Sequence, residues 1–111
     1  MRALITQPAT NAIVQVGRIA IRGLAWSGSA PIARVDVSVD GSGWVQARLV
    51  GVASSYCWQQ WELLTDIERR GPIKIRARAT DSVGNVQSEH AEWNRLGYGN
   101  NSIQEVVISA I

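Results

Sequence analysis

Two stretches of strict alternation constrain this chain more than anything else in it. RVDVSVD, Arg34 to Asp40, sets Val35, Val37 and Val39 on one side and Arg34, Asp36, Ser38 and Asp40 on the other. GPIKIRARATD, Gly71 to Asp81, repeats the pattern with Ile73, Ile75, Ala77 and Ala79 against Lys74, Arg76, Arg78 and Thr80. A period of two suits a strand, whose successive side chains leave opposite faces, and does not suit a helix, whose apolar stripe recurs every three to four residues. Both segments are therefore predicted to be half-buried strands. Their outer faces carry charge, and Asp36 and Asp40 are expected to be solvated there, opposite Lys74, Arg76 or Arg78 as cross-strand pairs.

The rest of the chain reads in the same way. GRIAIRGLAWSG, Gly17 to Gly28, places Ile19 and Ile21 on one side until Gly23 interrupts, which suggests a bulge. IQEVVISAI, Ile103 to Ile111, supplies a closing strand. Asp40-Gly41-Ser42-Gly43 stands between RVDVSV and WVQARLV and predicts a β-hairpin, because glycine accepts the positive φ of a tight antiparallel turn. Asp81 to Asn85 is a second turn of similar chemistry. SSYCWQQWELLTDIE is ambiguous: Trp58, Trp61 and Leu64 are spaced as on a helix, while the aromatic and β-branched content suits a strand, here read as Tyr56 to Leu63. About seven short strands without a long helix predict an all-β fold, an immunoglobulin-like (E-set type) antiparallel β-sandwich.

A chain of 111 residues is expected to form one domain, residues 1–111, around a single core. Charged residues are only 18% and the formal net charge is +2, so no dense basic block drives binding to nucleic acid or to an anionic membrane surface. One cysteine, Cys57, excludes an internal disulfide. No apolar run approaches the roughly 18 residues that a membrane helix needs, and Met1-Arg2 leads into ALITQPA without the apolar stretch of a signal peptide. Structural zinc requires clustered cysteine and histidine, and here Cys57 and His90 stand 33 positions apart (90 − 57). A nucleophilic Cys57–His90 pair would need an orienting carboxylate as well. Cys57 reads more simply as a small buried hydrophobe, and His90 as an exposed loop residue. GYGNN lacks the lysine and following helix of a phosphate loop. The compositional excess is tryptophan, at positions 26, 44, 58, 61 and 93, in a chain with no phenylalanine. Two or three are expected to fill the core or its ends, and others to line a protein interface.

Four ordered motifs carry a family resemblance: Ala-Trp-Ser-Gly leading to Val-Ser-Val-Asp-Gly, Trp58-Gln-Gln-Trp61, Arg78-Ala-Thr-Asp-Ser-Val-Gly-Asn-Val-Gln87, and Trp93-Asn-Arg-Leu-Gly-Tyr98. From about Ile5 to the C-terminus the chain resembles the C-terminal domain of the sulfite oxidase family of molybdenum oxidoreductases. The resemblance implies a sandwich that joins two subunits into a homodimer and follows a catalytic domain holding molybdopterin. That catalytic domain and its molybdenum-binding cysteine are not expected in this chain, so sulfite oxidation by these residues alone is not expected either. Periplasmic residence is implied by the habit of bacterial relatives. The shorter DGSGW hairpin and Ser88 after Gln87 suggest a distant bacterial member.

The resemblance also implies site residues. In the family the loop matching Trp93 to Asn101 faces the catalytic domain, and an arginine just before its glycine helps to bind the anionic substrate. Here that position is Leu96, and the arginine stands one place earlier at Arg95. A one-residue displacement in an extended segment turns a side chain to the other face, so a different substrate or a structural loop stays open beside anion binding by Arg95. Tyr98, Asn100 and Asn101 are the further candidates for substrate-anion or catalytic-domain contact. The surface residues Arg34, Asp36, Arg76 and Arg78 are candidates for the two-fold interface. A free-standing immunoglobulin-like module that binds protein or glycan through its tryptophans is the other reading.

Overall fold

A computed structural model describes residues 2–27, 31–51, 59–87 and 103–111. Among them are nine strands: β1 (Arg2–Gln7), β2 (Ile13–Val14), β3 (Gly17–Trp26), β4 (Ile32–Val39), β5 (Trp44–Gln46), β6 (Arg48–Val50), β7 (Gln59–Ile67), β8 (Gly71–Asp81) and β9 (Gln104–Ala110). They form a four-stranded sheet, β1-β3-β7-β6, and a five-stranded sheet, β2-β9-β8-β4-β5. These are the neighbour relations of the immunoglobulin sandwich, with its A-B-E-D strands in one layer and G-F-C in the other. The antiparallel sandwich expected from the sequence is therefore present. It has nine described strands rather than about seven because β2 is only two residues long and buried Ala47 separates β5 from β6. Ala47 is the crossing point between layers, since β5 pairs with β4 in one sheet and β6 with β7 in the other.

The core forms where the alternating apolar faces meet. Val35 and Val37 of β4, Ile73, Ile75, Ala77 and Ala79 of β8, and Val106 and Ile108 of β9 face Ala3, Ile5, Ile21, Ala25, Trp61 and Ile67 of the other sheet. Among the described residues Trp61 is the largest fully buried side chain. Its backbone lies directly across from Gly23. A Cβ on Gly23 would overlap both the Trp61 ring and the Leu4 carbonyl oxygen, so glycine at this position makes room for the indole. The expected bulge at Gly23 is thus corrected: β3 pairs with β7 in unbroken register, and the irregularity lies on β1 between Ile5 and Gln7, opposite Gly23 and Arg22. The strand predicted from Tyr56 to Leu63 is found as β7, Gln59–Ile67, and residues 56–58 lie outside the described residues.

Both predicted turns are present. Asp40 (φ 54°) and Gly41 (φ 72°) take the left-handed conformation between β4 and β5, the pairing that an Asp-Gly hairpin turn demands. Arg69 clamps this turn by donating to both Asp40 carboxylate oxygens, at 2.9 and 2.8 Å. That hydrogen-bonded guanidinium holds the Asp40 carboxyl below its ordinary range. Asp40 is therefore served by Arg69, not by Lys74, whose carbonyl instead accepts from the Asp40 amide.

Candidate functional site

The outer face of the five-stranded sheet brings the arginines of the two alternating strands together. β4 and β8 run antiparallel with Asp36 opposite Arg78 and Ser38 opposite Arg76. On the far side β5 sets Gln46 beside Asp36 and Trp44 beside Ser38. The Arg78 guanidinium carbon lies 4.3 Å from the centre of the Trp44 ring, and that of Arg76 lies 5.6 Å away, both within cation–π range. Beneath them Arg34 donates through Nε to both Asp36 oxygens, at 2.9 and 3.0 Å. Arg78 completes the group with its Nε 3.6 Å from Asp36 Oδ2, an ion pair too long to be a hydrogen bond.

Of the surface residues expected at an interface, Arg34, Asp36, Arg76 and Arg78 all lie in this cluster, but Asp36 is corrected in one respect. It was expected to be solvated, and it is 2% exposed. Strict alternation does place it on the outer face. The guanidinium groups of Arg34 and Arg78, together with the Trp44 hairpin, cover that part of the face. Ser38 is buried for the same reason. Trp44 was not singled out as the partner of these arginines. Pairing outward from a two-residue Asp40-Gly41 turn would set Ser38 opposite Gly43, and the observed pairing of Ser38 with Trp44 needs the extra residue that Gly43 (φ 97°) supplies.

The outer face of the four-stranded sheet has a different character. Arg18 of β3 pairs with Asp66 of β7 at 3.5 Å, and Arg22 pairs with Glu62 at 2.7 Å, with Arg48 of β6 reaching the same carboxylate at 3.5 Å. The hydrogen bond from Arg22 holds the Glu62 carboxyl below its ordinary range. Between the two ion-pair rows lie Ala20 and Leu64, opposite one another, and Leu64 is 56% exposed.

The loop candidates Arg95, Tyr98, Asn100 and Asn101 lie outside the described residues, as do Leu96, Cys57, His90, Trp58 and Trp93. Among the described residues no group of three or more His, Cys, Asp or Glu side chains converges as a metal site. Nothing described here is therefore assigned to hold molybdenum or its pterin.

The Mo-co oxidoreductase dimerisation domain model matches residues 1–111. The chain belongs to that family. It is 36% identical to the sulfite oxidase of Gallus gallus over 105 residues, which is 87% of this chain and 23% of that protein. The chain therefore spans about a quarter of the length of this curated relative. Among solved structures, it resembles the sulfane dehydrogenase SoxCD from Paracoccus pantotrophus with a TM-score of 0.82 and 32% identity, over 96% of this chain and 29% of that one. The fibronectin(III)-like modules of Clostridium thermocellum CbhA match with a TM-score of 0.65 over 97% of this chain and 94% of theirs, and at 17% identity this shows the fold alone. Within this dimerisation domain the described tryptophans divide by place. Trp61 fills the core, Trp44 is half-buried under two arginines, and Trp26 lies at the surface, 36% exposed.

Proposed function

We propose that this dimerisation domain joins two copies of a molybdenum-dependent oxidoreductase of sulfite oxidase type into a homodimer. The match of the family model across residues 1–111 is the observation that carries the reading. Molybdopterin and the redox chemistry belong, in this reading, to a catalytic domain of the same protein. The described residues offer that group no ligand set. Residues 1–111 act as a single domain whose work is association. The loop around Arg95, Tyr98, Asn100 and Asn101 meets the catalytic domain, with Leu96 leaving the substrate-facing position without a guanidinium.

The cationic face serves a contact of another kind. Arg34, Lys74, Arg76 and Arg78 crowd one sheet surface on which Asp36 is buried beneath the arginines and Glu105, opposite Arg76, is exposed. Turned against itself across a two-fold axis lying along β8, such a face would oppose Lys74, Arg76 and Arg78 to their own copies. Charge complementarity therefore favours an acidic surface of the parent protein there, with Asp36 bracing the arginines from below rather than touching the partner. Sedimentation equilibrium of the chain tests the association: a dimer at high micromolar concentration is expected, and a strict monomer overturns the reading. Sulfite oxidation by the purified chain would overturn it as well.

A further inference from the structure

We infer that the outer face of the four-stranded sheet is the surface on which two copies of this chain meet, with the two-fold axis running along the strands between β3 and β7. The inference rests on the reading of the chain as a dimerisation module and goes further by naming the face and the axis.

Two sheets stacked face to face by a two-fold must have the axis lying in the contact plane, and an isologous contact requires the patch to complement itself. An axis parallel to the strands keeps each row at its own height and exchanges the two columns. Position by position, what lies on β3 then faces what lies on β7 of the other copy. The observed register makes this exchange favourable in every central row. Arg18 stands beside Asp66, Ala20 beside Leu64, and Arg22 beside Glu62. After the exchange Arg18 faces the partner's Asp66, Ala20 faces the partner's Leu64, and Arg22 faces the partner's Glu62, each twice by symmetry. An axis perpendicular to the strands would instead set Arg18 against the partner's Arg22, which is repulsive.

The groups concerned are available for such an exchange. Arg18 and Asp66 are 72% and 56% exposed and only 3.5 Å apart, an arrangement that stabilises an isolated chain little. Arg22 is 54% exposed; its Nε serves Glu62 and its Nη1 donates to Gln7 Oε1 at 3.4 Å, which leaves the Nη2 donors for a second carboxylate. Leu64 supplies an exposed apolar centre between the two charged rows, which is the anatomy of an interface rather than of a solvated face. The opposite sheet does less well. An axis between β4 and β8 would need Asp36, which is buried, and one between β8 and β9 would pair Arg76 with the partner's Glu105 but set Lys74 against the partner's Val107.

The axis dictates a charge-swap experiment on the full 111-residue chain. Arg18→Glu alone puts Glu against the partner's Asp66 twice, and Asp66→Arg alone puts Arg against the partner's Arg18 twice. Each homodimer is expected to weaken about a hundredfold, from two like-charged contacts at about tenfold each. Mixed together, the two variants form a heterodimer in which both contacts are attractive, and it is expected to regain the wild-type dissociation constant. Leu64→Arg is expected to abolish the dimer, and Val45→Arg, an exposed position on β5 of the other sheet, to leave it intact. Circular dichroism confirms that each variant is folded, since every substituted side chain is at the surface. A wild-type dimer that ignores Leu64→Arg and shows no rescue on mixing overturns the assigned face while the dimerisation reading stands. A wild-type chain that never dimerises overturns that reading and the inference with it.

Discussion

Asp81 holds a turn through a single carboxylate. It closes β8 at 3% exposure, and its oxygens accept from the Val83 amide at 3.1 Å, the Asn85 amide at 2.9 Å and the Asn85 side-chain amide at 3.0 Å. Burial by itself pushes the carboxyl up, but the hydrogen bonds from Asn85, Val83 and Gly84 pull it down further, and the net position is below the ordinary 3.8. The folded protein therefore binds this proton more weakly than the unfolded chain does. Its contribution to stability is fully present above the unfolded value and is lost as pH falls through the folded one. Asp81→Asn keeps one acceptor oxygen and removes the charge. The variant is expected to unfold at lower urea than wild type near neutral pH, and the gap between them should close below about pH 4. Urea midpoints measured across that range check it, and a gap that persists unchanged in acid would show that the charge contributes nothing. Asp81 was legible in the sequence as a turn residue because its neighbours are Ser, Val, Gly and Asn. Its buried, four-way engagement was not, because that depends on where the returning chain lies.

At the scale of elements, β4 shows what alternation can and cannot convey. Val35 and Val37 are fully buried, as their period of two requires, and the same period found β8. Alternation assigns a residue to a face, but whether that face is wet depends on what the neighbouring strands lay over it. Asp36 was misjudged on this point: Trp44 is half-buried on the next strand and two arginine stems fold over the carboxylate. Gly23 was misjudged for a related reason, since its partner Trp61 lies 38 positions away (61 − 23) and only the register brings them together. The candidate arginines were legible because they alternate, whereas their aromatic partner required knowledge of the hairpin pairing. Removing the carboxylate tests the cluster. Asp36→Ala leaves Arg78 partly buried at 24% side-chain exposure without its counter-charge. Fully buried pairs lose about 3–5 kcal/mol on such a deletion, and the half-exposed Arg34 lowers the expectation here to about 2 kcal/mol. In a double-mutant cycle by urea denaturation, Asp36→Ala with Arg78→Ala should cost less than the sum of the two single changes. Strict additivity would mean that the pair is not coupled.

Across the whole molecule, the two layers are joined by more than apolar contact. β1 is the edge of the four-stranded sheet, and alternate amides along an edge strand point away from its only neighbour. Those of Ala3 and Ile5 would be buried without partners had the other sheet not supplied them. Gln87 Oε1 accepts from the Ala3 amide at 3.2 Å and from the Ala79 amide of β8 at 3.3 Å, so one side-chain oxygen bridges both layers. Gln104 Oε1, from β9, accepts from the Ile5 amide at 2.7 Å. A glutamine suits this place because its amide oxygen is an acceptor that carries no charge to desolvate. An edge capped in this way offers no free ladder to another chain, so association through β1 by strand addition is suppressed and contact through a sheet face is favoured. Gln104→Ala should leave the buried Ile5 amide unsatisfied and destabilise the fold by about 1–3 kcal/mol. Hydrogen exchange gives the sharper readout: the Ile5 amide should exchange faster in Gln104→Ala, while Gln104→Glu, which keeps an acceptor oxygen, should restore much of its protection. If Ile5 exchanges at the wild-type rate in Gln104→Ala, β1 is held to the sandwich by its apolar face alone, and the glutamines are incidental to how the two sheets stay together.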